Sequence, residues 1–142
     1  MKLTKKIAEI IGEVLKKKGV AVDSFFVNDV NAAVVKNYDC LVAGAPTMAF
    51  RASVDMRKFL ESLPNEDFSG KLAAAFDTQV KSRISGSAVK GIEDKLRKLG
   101  FKITSAPLIV YVEGKMNEYH LKEGELEKAK EWTQNIAETL QH

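Results

Sequence analysis

The chain has 142 residues, 45% of them hydrophobic and 29% charged, with 22 Lys and Arg against 19 Asp and Glu for a formal charge of +3. That size and balance predict a single globular domain over residues 1–142. No apolar run approaches the roughly 20 residues that cross a bilayer, no apolar leader stands at the start, and the lysines are not gathered with aromatics, so the expectation is a cytoplasmic protein with no membrane and no nucleic acid among its partners.

Residues 5–18 place Ile7, Ile10, Ile11, Val14 and Leu15 at helical spacing, with Thr4 positioned to cap the first turn. Only three residues precede that cap, although the first helix of most α/β domains follows a strand. Lys16, Lys17 and Lys18 fall in the last turn, where cations complement the helix dipole, and Gly19 suits the position just beyond it. VAVDSFFV has the β-branched and aromatic content of a strand, closed by the turn formers NDVN. AAVVKNYD leads into CLVAGA, a continuous apolar run of the kind buried on both faces of a parallel sheet. Within it Cys40 reads as a small buried side chain rather than a reactive thiol. PTMAFRA is expected as a loop, with Ser53 capping a helix over residues 54–63 that Pro64 and Asn65 end. KLAAAF is a second buried strand, DTQVKSRISGS a long polar loop, and residues 88–99 a helix stopped by Gly100. FKITSAPLIVYV is the last predicted strand, in which Pro107 demands a bulge, a break or an edge. After the loop EGKMNEYHLKEG, a helix over 125–140 sets Leu126, Ala129, Trp132 or Thr133, Ile136 and Leu140 on one stripe. Trp132 is therefore expected in the core.

Helices alternating with buried strands predict a three-layer, doubly wound α/β domain with a mainly parallel sheet. Ligands of such sheets bind beyond the C-terminal ends of the strands. Two loops are placed there. In AGAPTMAFRAS the small Ala45, Thr47 and Ala49 let backbone approach a ligand, and Met48 and Phe50 offer surface to a ring. FDTQVKSRISGS carries Asp77, Thr78, Gln79, Arg83 and Ser85. Neither loop holds a nucleophile with a base or a pair of carboxylates, so no independent catalytic activity is expected. His120 and His142 have no second ligand at metal-binding spacing, so no metal site is expected either.

YDCLVAGAPTMAFRASVDMRKFLESL, GKLAAAFDTQVKSRISGSAVKGIEDKLRKLGFKI and EGELEKAKEWTQNIAETL together resemble the flavodoxin family over nearly the whole chain. The resemblance implies flavin mononucleotide (FMN) as cofactor and electron transfer to a redox partner protein as function. It nominates Pro46, Thr47, Met48, Ala49 and Phe50 against one face of the ring. Asp77, Thr78, Gln79 and Gly86 would lie along its pyrimidine edge. In the family a first strand and a T-x-T-G-N-T turn hold the phosphate at the start of the first helix, and of these only Thr4 has a counterpart here. The expected fold is thus flavodoxin-like with the first strand missing and the phosphate site incomplete. Three further readings go with that departure: a flavin-free module acting in oligomerisation or protein interaction, a homodimer formed through the open edges or the first helix, and a true start upstream of Met1.

Overall fold

A computed structural model describes residues 2–48, 51–52, 54–64, 68–80, 88–114 and 118–141. The chain order is α1 (Lys2–Lys17), a 3-10 helix (Ala32–Asn37), β1 (Cys40–Met48), β2 (Arg51–Ala52), α2 (Val54–Ser62), β3 (Leu72–Val80), α3 (Ala88–Lys98), β4 (Lys102–Ile103), β5 (Leu108–Glu113), β6 (His120–Leu121) and α4 (Glu125–Leu140). One sheet runs in the order β2-β1-β3-β5-β6, with β4 pairing the start of β3. β1, β3 and β5 are parallel, and the short β2 and β6 fold back antiparallel on the two outer strands. The predicted α/β, doubly wound domain with a mainly parallel sheet is the architecture found.

Alternation along the strands sends side chains to two separate cores. Ala43 and Ala45 of β1 and Ala73 and Ala75 of β3 pack with Met56, Phe59 and Leu60 of α2 and Ile92 and Leu96 of α3. On the opposite face Ala74 and Phe76 of β3 and Leu108 and Val110 of β5 meet Ile7, Ile11 and Leu15 of α1 and Ala129, Ile136 and Ala137 of α4. Alanines in β3 let the helices approach closely, and Phe76 fills the space that this leaves over β1. Its ring lies directly above Gly44, its register partner, where a Cβ would have no room.

Several expected boundaries move. VAVDSFFV forms no strand: residues 20–26 take no regular structure and join no ladder among the described residues. Their β propensity is real, but a strand needs a bonded neighbour, and none lies beside them among the described residues. PTM is not loop but the end of β1, since the apolar strand continues until β2 folds back on it, pairing Thr47 with Ala52 and Met48 with Arg51. β3 runs past the predicted Phe76 to Val80, because β5 gives residues 76–80 a second ladder. FKITSAPLIVYV breaks at residues 104–107 into β4 and β5, as Pro107 requires, and HL within the predicted loop 113–124 pairs as β6. Thr4 lies inside α1 rather than capping it, the helix starting at Lys2. Trp132 is partly buried against the α1–α4 core, and its indole N–H donates to the Ala106 carbonyl at 2.7 Å. Cys40 is partly buried; burial, and then Asp39 beside it, push its thiol from the usual 9.0 up to about 11.

Candidate functional site

The C-terminal end of the parallel strands gathers three segments that are distant in sequence. Register sets Ala45 beside Asp77 and Pro46 beside Thr78. The hydroxyls of Thr4 and Thr78 are 2.7 Å apart, which fixes the start of α1 against the end of β3. Thr4 is used sideways, as a tether between elements, and that is why it is not free to cap. Residues 4, 46 and 78 thereby share one corner of the molecule, at the end of the sheet that the strand order nominates for a ligand.

Polarity is concentrated here. Asp77, Thr78 and Gln79 are buried, within a strand that is otherwise alanine, leucine, phenylalanine and an exposed terminal valine. Alternation puts Thr78 on the α1 face and Asp77 with Gln79 on the α2–α3 face, where the Gln79 amide donates to the Asp77 carboxylate at 2.9 Å. Burying such groups is costly unless hydrogen bonds answer them, so this run of three is the polar exception in an otherwise apolar strand. Because β3 extends to Val80, the backbone of Asp77 and Gln79 is taken up by the β5 ladder and that of Thr78 by β1. Side chains, not free main chain, are what these positions present.

Pro46 has a specific place. The Leu72 N–H donates to the Asp39 carbonyl, so odd-numbered residues of β1 bond to β3 and even-numbered ones turn their N–H and C=O outward. Pro46, with no N–H, falls on an outward position and costs the sheet no bond. Thr47 and Met48 end β1; Ala49 and Phe50, which follow, and Gly86 of the second loop lie outside the described residues. So do Arg83 and Ser85.

The positive potential at this corner comes from α1. No acidic residue lies in the first turn of α1, whose end carries a partial positive charge and whose first amides have no helical partner. Lys5 sits over the Phe26 ring, 5.3 Å from its centre. The half-exposed Phe25 and Phe26 belong to the segment that sequence patterning assigned to a strand. Among the described residues no group of three or more His, Cys, Asp or Glu is gathered for a metal ion, and no helix is long and apolar enough to cross a membrane.

Comparison with known proteins agrees with this fold. Residues 3–132 match the family described as Flavodoxin. No curated protein sequence matches. Among solved structures, a flavodoxin from the domain Archaea is similar with a TM-score of 0.78 and 25% identity, the match covering 98% of this chain and 91% of that one. Oxidised flavodoxin 1 from Bacillus cereus is similar with a TM-score of 0.81 and 20% identity, over 95% and 89% of the two chains. Rubredoxin oxygen:oxidoreductase from Desulfovibrio gigas is similar with a TM-score of 0.80 and 19% identity, over 97% of this chain and 33% of that longer one.

Proposed function

The chain belongs to the flavodoxin family, and on that premise we propose that it binds FMN at the C-terminal end of its sheet and passes electrons to and from a redox partner protein. The observation that supports this most is the convergence of Thr4, Pro46 and Thr78 on one corner, since the three mark the helix start and the two strand ends from which the family holds its cofactor.

The residues present fit the ring half of FMN. Pro46, Thr47, Met48, Ala49 and Phe50 would cover one face, and the buried polar run Asp77, Thr78 and Gln79, with Gly86 beyond it, would orient the ring's edge by hydrogen bonds. The first amides of α1 and the Thr4 hydroxyl, which is shared with Thr78, are the groups that these residues offer to the phosphate, and we read that site as incomplete within them. When bound, FMN supplies the reversible uptake and release of electrons that side chains lack. The chain's own part is to exclude water from the ring at a buried strand end and to fix it relative to the surface where a partner docks.

Titration of the purified chain with FMN should quench flavin fluorescence to a saturable end point. Replacing Thr47 and Asp77 together by bulky residues should abolish the quenching. Riboflavin should bind within roughly tenfold of FMN, about 1.4 kcal/mol, because little of the affinity comes from phosphate. Absence of quenching by either flavin would remove the cofactor from this reading, and a strong preference for FMN would mean a complete phosphate site.

A further inference from the structure

We propose that the Gln79 side chain determines specificity for the flavin ring, its amide carbonyl accepting a hydrogen bond from the ring's imide N–H, and that Asp77 is the positioning residue that turns the carbonyl that way. The inference deepens the flavin reading above and rests on it. Gln79 is 7% exposed and Asp77 is fully buried, both on the α2–α3 face at the end of β3. Of the three buried polar side chains at this strand end, two are engaged with neighbours: the Thr78 hydroxyl lies 2.7 Å from that of Thr4, and the Asp77 carboxylate accepts from the Gln79 amide nitrogen at 2.9 Å. The Gln79 carbonyl oxygen differs from them, since no hydrogen bond reaches it among the described residues.

A carboxylate only accepts, whereas a carboxamide has a donating and an accepting end. The contact with Asp77 therefore settles which way the amide lies, with its N–H turned to the carboxylate and its C=O turned away from it. A buried acceptor left without a donor is costly, so an oxygen held in this way at the ligand end of a sheet is matched to a donor that arrives with the ligand. The backbone beneath it is fixed as well. Gln79 is in register with Tyr111 of β5, and the preceding Thr78 with Pro46 of β1, so the amide projects from a laddered strand rather than a loop and meets the ligand already oriented. The pyrimidine edge of the isoalloxazine ring carries a carbonyl acceptor on either side of a single N–H donor, at N3. A carboxamide turned the other way would donate to either carbonyl. The orientation that Asp77 imposes leaves only the N–H to be recognised, and N3 keeps its proton when the ring takes up electrons, so the contact selects an unsubstituted imide in every redox state.

The test titrates the full chain with riboflavin and with N3-methylriboflavin, each read by fluorescence quenching, so that phosphate plays no part. The parent is expected to bind riboflavin roughly tenfold more tightly, about 1.4 kcal/mol. Gln79→Met, which keeps the length of the side chain and removes the acceptor, should bring the two affinities together. Asp77→Asn, which lets the Gln79 amide turn over, should give a ratio between those of the parent and Gln79→Met. Each ratio is internal to one variant, so a general loss of stability does not move it. Equal binding of the two flavins by the parent would overturn the proposal while leaving flavin binding intact, and that measurement needs no variant to fold. An undiminished ratio in Gln79→Met would assign the N–H to another acceptor, and one in Asp77→Asn would remove Asp77 from the arrangement. Absence of binding by either flavin would overturn the flavin reading and this proposal with it.

Discussion

Gly44 shows how one missing methyl group organises this core. The Phe76 ring occupies the volume a side chain at 44 would need, and it is backed by α1 and α4, so neither partner has room to give. Gly44→Ala should cost about 1–3 kcal/mol and Gly44→Val more, read as lower urea midpoints with an unchanged slope. Glu93 makes the opposite kind of demand. Its side chain is 8% exposed, one carboxylate oxygen has no hydrogen-bond partner among the described residues, and the Arg97 guanidinium is 3.8 Å away and mostly in solvent. Burial, with a smaller contribution from Asp94, raises its pKa against the opposing pull of Arg97. A carboxyl group whose folded pKa is raised favours the fold while protonated, and that contribution is lost as pH rises through the folded pKa. Glu93→Gln should therefore unfold at higher temperature than the parent at neutral pH, with the difference shrinking in acid. Equal pH profiles for the two proteins would show that the carboxyl is solvated.

Among the elements, α1 depends on one polar contact for its position at the functional corner. Thr4→Val and Thr78→Val each leave a hydroxyl without its partner and should cost about 1 kcal/mol, whereas the double variant should be nearly neutral relative to either single one. A double-mutant cycle from chemical denaturation reads that coupling directly. The four helices, β1, β3 and β5 were legible in the sequence because each carries its own period or an unbroken apolar run. The fate of residues 20–27 was not, since propensity reports what a segment prefers and not whether a neighbour is there to bond it. Nor was the extent of β3: the polar letters DTQ look like loop, and only the ladders from β1 and β5 make them strand. The corner itself was half legible. Asp77, Thr78 and Gln79 stood out by position and Pro46 through the family resemblance, but the bond from Thr4 to Thr78 spans 74 residues and leaves no periodic signal.

At the scale of the whole molecule, the sheet separates two cores of different ancestry along the chain. The α2–α3 core is built almost entirely from residues between Val35 and Phe101, sealed below by the Phe68 and Phe101 rings stacked 4.7 Å apart. The other face is covered by α1 and α4, the first and last helices, which pack on each other and are joined where the Gln141 side chain donates to the Lys18 carbonyl. This pairing makes the two helices one cooperative unit of exchange, because neither keeps its buried face once the other leaves. Native-state hydrogen exchange should find the amides of α1 and α4 opening together, at a single free energy below that of β3. Peeling the pair away would bare Phe76, Leu108 and Val110 while the intervening β1–α2–β3–α3–β5 stretch stays folded. The fold is then a local, sequential layer under a clasp made of α1 and α4, and whatever weakens the clasp at one helix is felt equally at the other.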